Sequence, residues 1–252
     1  MSVLQHDYLS SASRLLRACA AGGHGVAVLC DFDGTISVRD VQVGLLDTFA
    51  LPNWREAERA YLEQGYKSHT YLPAIYDGCV ATEEEVRRFI DEYGEVDPHF
   101  GPFVSMCQSR GWQLEVVSDG LSIYIDRLLK GCGLSLPYYS NSAKFSGRGV
   151  EFAHPNHEPS CGKCGSCKLS RVRAARQRGA EVIIYAGDGI SDECVSRHVH
   201  LLFAKDSLEA YCVREGIPHV RFRTFADVHR ELAGMLQGCA PMQLGTRLAT
   251  TV

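Results

Sequence analysis

The sequence predicts an α/β fold: a doubly wound parallel sheet with a helical segment inserted after its first strand. Two patterns predict it. Short apolar runs rich in β-branched residues end abruptly in a polar residue or a glycine, and helical patterns alternate with them while one early stretch has none. The expected strands cover residues 26–30, 114–117, 182–186 and 201–204, continuous apolar runs of the kind buried on both faces of a parallel sheet. Helices are expected over 103–110, 121–129, 169–178 and 208–215, with Gly111, Gly131, Gly179 and Gly216 as C-terminal stops. Residues 37–97 break the alternation. They carry helical patterns at 41–49, 54–65 and 82–93, and Thr82-Glu83-Glu84-Glu85 reads as a capping box. Residues 138–152 alternate like a β-hairpin that turns at Ser146-Gly147-Arg148-Gly149.

A chain of 252 residues with 45% hydrophobic composition can bury a full core. Its net charge of -4 is spread in interspersed charges, which excludes nucleic acid and an anionic membrane as natural partners and favours a small molecule. The first 25 residues include His6, Asp7, Arg14 and Arg17, and their apolar runs are too short for a secretory core or a membrane span. The expectation is a soluble cytoplasmic protein whose tails, 1–22 and 239–252, are peripheral, with pairing into a homodimer left open. Of eleven cysteines, eight are scattered as buried thiols in a reducing compartment would be; Cys161, Cys164 and Cys167 cluster.

In a doubly wound sheet the ligand sits outside the carboxyl ends of the strands, so the polar residues that follow each strand are the place to look for chemistry. Asp31-Phe32-Asp33-Gly34-Thr35 follows the first strand, and its two acids, two positions apart, can face one hard cation such as Mg2+. Gly187-Asp188-Gly189-Ile190-Ser191-Asp192 follows the third and repeats the pairing. Four carboxylates around one crevice demand a cation. Ser118, after the second strand, offers a hydroxyl to a phosphoryl oxygen, and Lys168, at a helix start, offsets negative charge. Carboxylate nucleophile, magnesium, hydroxyl and lysine together describe phosphoryl transfer through an aspartyl phosphate.

In these four motifs, in this order, the chain resembles the haloacid dehalogenase-like superfamily over residues 24–232. The resemblance implies a Rossmann-like core, residues 1–36 and 98–252, with a helical cap of the C1 type at 37–97. It implies catalytic roles for Asp31 as nucleophile, Asp33 as acid and base, and Lys168; substrate contacts from Thr35, Ser118, Asp119 and Gly120; and a Mg2+ site of Asp31, Asp33, Asp188 and Asp192. The partner is then a small phosphorylated metabolite. An insertion at this point resembles the branch that holds phosphoserine phosphatase and the methionine-salvage 2-hydroxy-3-keto-5-methylthiopentenyl-1-phosphate phosphatase. Asp40 stands where phosphoserine phosphatases place an acid for the substrate's amino group, although an Asp there also suits a helix N-cap. Ser118-Asp119-Gly120 lacks the paired glycines expected for phosphoserine, and Phe32 replaces the usual aliphatic residue. A phosphotransferase of the same fold and an inactive regulatory binder are the competing readings. Within the cap, Asp40, Trp54, Tyr61, Tyr66, His69, Tyr71 and Tyr76 are the residues that could meet substrate.

The run from His154 to Lys168 holds Cys161, Cys164 and Cys167 at three-residue spacing, with His157 upstream. These have the softness and number for one structural Zn2+. Packed thiols, or a Cys167 whose pKa is lowered by the adjacent lysine for redox control, are the alternatives.

Overall fold

The computed structural model describes residues 3–22, 25–65 and 67–237, so Tyr66 and the tail at 239–252 lie outside the described residues. Helix α1 (Val3–Gly22) leads into β1 (Gly25–Cys30). Four helices follow: α2 (Val41–Phe49), α3 (Trp54–Glu63), α4 (Ser68–Ile75) and α5 (Glu83–Tyr93). The chain continues through α6 (Phe100–Ser109), β2 (Gln113–Leu121), α7 (Ser122–Gly131), the hairpin β3 (Tyr138–Phe145) and β4 (Val150–Ala153), then α8 (Lys168–Gln177) and β5 (Ala180–Gly187). It closes with α9 (Glu193–Ser196), β6 (Leu201–Ala204), α10 (Asp206–Glu215), β7 (Val220–Arg221) and α11 (Phe225–Met235).

One sheet runs in the order β4-β3-β2-β1-β5-β6-β7, parallel throughout except for the antiparallel β3–β4 hairpin. Alternate residues of β1 enter opposite cores, which is why its sequence is a continuous apolar run. Val26, Val28 and Cys30 pack with residues of α1, α6, α7 and α11, while Ala27 and Leu29 pack with Val172 of α8 and with Leu208 and Cys212 of α10. The strand order reverses at β1. From there the sheet grows one way through β2 and β3 and the other through β5, which opens a crevice at the carboxyl ends of β1, β2 and β5.

The helical insertion is continuous with the first core through Leu45, Leu46, Trp54, Leu72, Val86 and Ile90. Asp40 caps α2 by accepting from the Val43 amide at 2.8 Å, and the Thr82–Glu85 capping box opens α5 as the sequence predicts. Helix α4 is the element that local pattern does not show, because Pro73 interrupts it. Its start is held from outside: the Ser68 amide donates to the Lys163 carbonyl (2.9 Å), and the Ser68 hydroxyl accepts from the Gly165 amide (2.6 Å). Helix α3 stops at Glu63 rather than Gly65.

Two other expectations are corrected. Residues 3–22 are not peripheral: Ala12, Leu16 and Cys19 are buried in the first core, and the Tyr8 hydroxyl accepts from the Leu202 amide at 2.8 Å. Gly131 is the last residue of α7 rather than its stop; the left-handed turn comes at Gly133, with φ of 70°. Gly111, Gly179 and Gly216 do take positive φ as expected.

Phe225 opens α11 against Phe100, Phe103 and Phe222, with ring centroids 4.7, 5.0 and 6.2 Å away. Phe225→Ala should cost about 3–5 kcal/mol in urea unfolding. A loss below about 1 kcal/mol would mean that α11 does not belong to the cooperative core.

Candidate active site

Asp31 leaves β1 at the centre of the sheet, its amide donating to the Ala186 carbonyl of β5 at 2.9 Å. The residue is 5% exposed, and its carboxylate accepts from the Phe32 amide at 2.7 Å through Oδ1 and meets Lys168 Nζ at 2.8 Å through Oδ2. Lys168 is the first residue of α8 and has no exposure. Its ammonium also donates to Ser191 Oγ (2.6 Å) and Asp192 Oδ1 (2.5 Å), so all three protons are placed. Burial works against a charge on Lys168, but Asp192 and Asp31 outweigh it and raise the pKa, keeping the lysine protonated.

Asp192 is saturated. Its Oδ1 accepts from Lys168 and from the Tyr185 hydroxyl (2.5 Å), and its Oδ2 accepts from the amides of Asp188 (2.9 Å) and Gly189 (3.0 Å). Asp188 Oδ1 accepts from Thr35 Oγ1 at 2.6 Å. Gly34 makes that contact possible. Its φ of +68° is left-handed, and a Cβ there would lie 2.5 Å from Asp188 Oδ2.

Asp33 lines the same cleft as Asp31 and is held by two helices. Its Oδ1 accepts from the Val41 amide (3.0 Å) at the start of α2, and its Oδ2 accepts from the Tyr124 hydroxyl of α7 (2.5 Å). Burial, reinforced by the charge of Asp40, pushes the Asp33 pKa well above the carboxylate range. Gly120 presses against this pair, since a Cβ on it would fall 1.8 Å from the Tyr124 hydroxyl oxygen.

A cleft of about 150 Å³ opens over these groups. Its floor is Asp31, Asp33, Ser118, Asp119, Gly120 and Asp188, and its far wall includes Asp40, Gln42, Glu58 and Tyr71. Ser118, Asp119 and Gly120 lie within β2 rather than after it. The Ser118 hydroxyl accepts from the Gly120 amide at 2.9 Å. Asp119 Oδ1 accepts from the Ser166 amide and from Asn141 Nδ2, both at 2.9 Å, tying β2 to the cysteine-bearing loop.

Asp31, Asp188 and Asp192 each offer a carboxylate oxygen within 4.8 Å of the others. Hard oxygen donors of this kind suit Mg2+. The charge balance fits as well. Burial and then Asp192 push Asp31 well above the usual carboxylate range despite Lys168, and the same two causes push Asp188 up to about 7. One lysine does not neutralise the cluster, and a divalent cation would.

Of the other residues singled out in the sequence, Asp40 and Tyr71 line the cleft. Thr35 does not; its hydroxyl is spent on Asp188. Trp54 is buried in the helical insertion and donates to Asp47 Oδ1 at 3.1 Å. Tyr76 is buried, and His69 packs on the His157 ring at 4.3 Å. The four proposed zinc ligands are not gathered: no group that includes Cys161, Cys164, Cys167 and His157 comes within 4.8 Å among the described residues. His157 Nδ1 instead donates to the Cys164 carbonyl at 2.8 Å. Cys167 is 1% exposed, and burial raises its pKa to about 11, so the lowered thiol pKa expected beside the lysine is corrected. Tyr124, Tyr185, Gln42, Glu58 and Ser191 are the site residues that sequence reasoning missed. Ser191 stood in plain view inside the Gly187–Asp192 motif; the others reach the site only through tertiary packing.

The acids and the lysine thus gather at the switch point of the sheet. The profile of the haloacid dehalogenase-like hydrolase family matches residues 28–196, and the chain belongs to that family. Among relatives, the 2-hydroxy-3-keto-5-methylthiopentenyl-1-phosphate phosphatase of Geobacillus kaustophilus is 32% identical over 213 residues, covering 81% of this chain and 93% of that protein. The bifunctional enzyme MtnB/MtnX of Bacillus licheniformis is 29% identical over 208 residues; the match covers 81% of this chain but spans only about half, 48%, of that protein's length. A substrate-bound phosphoserine phosphatase structure shares the fold at 16% identity and a TM-score of 0.59, with 82% of this chain and 97% of that one aligned. The chain is thus a phosphatase of the haloacid dehalogenase-like family.

Saturating Mg2+ should raise the thermal midpoint of the intact protein, because a ligand bound only by the folded state stabilises it. Asp188→Ala should abolish that rise in differential scanning fluorimetry. An equal Mg2+-dependent rise in both proteins would place the cation elsewhere.

Proposed function

We propose that this chain is a Mg2+-dependent phosphomonoester hydrolase that turns over a small phosphorylated metabolite through an aspartyl phosphate on Asp31. The observation that carries it is the buried Asp31–Lys168 contact at the carboxyl end of the central strand, facing a cleft with a second carboxylic acid, Asp33, alongside. Asp31 Oδ attacks phosphorus and the bond to the alcohol breaks. Asp33 gives its proton to the departing oxygen. Water then attacks the acyl phosphate, Asp33 takes up a water proton, and phosphate leaves with the Asp31 carboxylate restored. The raised pKa of Asp33 suits a group that must hold a proton before it gives it away.

Lys168 restrains the charge between phosphate and Asp31, and the Ser118 hydroxyl takes a phosphoryl oxygen. Asp31, Asp188 and the Asp33 carbonyl would hold Mg2+, which when bound supplies neutralising charge to the phosphoryl oxygens. Asp192, with four donors on its two oxygens, positions Lys168 and the 188–189 turn rather than acting as a direct ligand. Thr35 orients Asp188. Residues 37–97 act as the cap, bringing Asp40, Gln42, Glu58 and Tyr71 to the leaving-group end. The names of the relatives support 2-hydroxy-3-keto-5-methylthiopentenyl-1-phosphate as one substrate to try, and the shared fold adds phosphoserine. No described helix is long and apolar enough to cross a membrane, and the described cysteines form no disulfide; a reducing, cytoplasmic setting suits both.

Phosphate release from p-nitrophenyl phosphate and from an alkyl phosphate tests this. Asp31→Asn should lower kcat on both by about 10³-fold or more. Asp33→Asn should cost about 10²–10⁴-fold on the alkyl ester but less on the aryl ester, whose leaving group needs no proton. Equal losses on both esters would remove Asp33 from the role of general acid.

A further inference from the structure

Three donors converge on the Asp33 carboxylate. Its Oδ1 accepts from the Val41 amide at 3.0 Å and the Gln42 amide at 3.4 Å, and its Oδ2 accepts from the Tyr124 hydroxyl at 2.5 Å. A carboxylate offers about four lone-pair sites on its two oxygens. The two amides fill Oδ1, and Tyr124 fills one side of Oδ2. Among the described residues that leaves a single site, on Oδ2, for a proton. Asp33 lines the cleft, whereas Tyr124 is fully buried and is not one of the residues lining it. Whatever Tyr124 contributes to the chemistry therefore passes through Asp33.

The donors come from different parts of the chain. Val41 and Gln42 open α2 in the helical insertion, while Tyr124 belongs to α7, which packs on the sheet. The Tyr124 ring lies 5.9 Å, centroid to centroid, from that of Phe32, the residue between the two acids. A buried tyrosine hydroxyl needs a partner, and a backbone carbonyl would serve. Here the partner is a carboxylate, which gives a charge-assisted and stronger bond. The contact also constrains the neighbouring strand, because a Cβ on Gly120 would fall 1.8 Å from the Tyr124 hydroxyl oxygen and 2.3 Å from Asp33 Oδ2. Only glycine leaves that room. Without the hydroxyl, Oδ2 would have two open sites, and a proton divided between them would be presented to the leaving oxygen only part of the time.

We infer, resting on the hydrolase reading above, that Tyr124 is a positioning residue for the general acid: its hydroxyl occupies one side of Asp33 Oδ2 and confines the transferable proton to the other. The loss on removing it is then confined to substrates whose leaving group needs a proton.

The experiment measures kcat/KM, which reports the steps up to release of the alcohol, for the intact protein with saturating Mg2+ on an alkyl phosphate and on p-nitrophenyl phosphate. The proteins compared are the unaltered chain, Tyr124→Phe, Asp33→Asn and the double variant. Tyr124→Phe should lower the alkyl value by about tenfold or more, the value of one charge-assisted hydrogen bond, and leave the aryl value within about threefold. In the Asp33→Asn background the same change should cost less than about threefold on the alkyl ester, because the proton it positions is gone. Equal losses on both esters, or an undiminished loss in that background, overturn the positioning role. If Tyr124→Phe does not fold, Gly120→Ala carries the test. It keeps the tyrosine but crowds its hydroxyl, so the aryl-to-alkyl ratio should rise about tenfold, and an unchanged ratio overturns the inference. An Asp33→Asn loss that is equal on the two esters removes the general acid itself, and no turnover of either ester by folded protein removes the hydrolase reading; the positioning role falls with either.

Discussion

A single buried ammonium organises this active site. Lys168 Nζ has no solvent contact and reaches three oxygens from two strand ends: Asp31 after β1, and Ser191 and Asp192 after β5. Removing one member of a buried, hydrogen-bonded ion pair typically costs about 3–5 kcal/mol, because the charge left behind has no water to turn to. The arrangement is therefore all or nothing: if α8 starts one residue earlier or later, the lysine misses the strand ends and two acids are stranded. In the proposed mechanism function and stability draw on the same contact, since the lysine that permits Asp31 to sit dry in the sheet would also restrain its repulsion from a phosphoryl group.

The surrounding structure fixes where α8 begins. The Cys167 amide donates to the Asn156 carbonyl at 3.0 Å, and the Ser166 amide donates to Asp119 on β2. Asn141 of β3 donates to the same Asp119 oxygen and accepts from His154 Nδ1 at 2.8 Å. The cysteine loop is thereby strung between β2, β3 and the start of α4, where Ser68 grips Gly165. Its buried thiols pack beside the helix start. There Cys167 pairs with Cys161 and Cys164 with Cys194, close to Lys168. The loop also joins the insertion to the sheet, so the side of the cleft built by the insertion is registered against the side built by the strand ends.

Much of this was legible in the sequence, for identifiable reasons. Buried parallel strands must be apolar along their whole length, so β1, β2, β5 and β6 announced themselves, and the acids and glycines after β1 and β5 marked the crevice. Asp31, Asp188 and Lys168 meet as their positions implied. What stayed hidden depends on partners distant in the chain. Tyr124 reaches Asp33 from 91 residues away, and Ser68 nucleates a helix that its own sequence argues against. Thr35 shows the same limit in reverse: a hydroxyl beside the nucleophile reads as a phosphate contact, yet the left-handed turn at Gly34 swings it onto Asp188. The CxxCxxC spacing was read as a metal site because spacing does not reveal where backbone donors pull each residue.

The most direct measurement is to quench turnover in acid and locate the covalent intermediate by borohydride reduction and peptide mass spectrometry. Conversion of Asp31 to homoserine, dependent on substrate, is the predicted result. A substrate-dependent adduct on any other residue, or none at all under conditions of rapid turnover, would contradict the account.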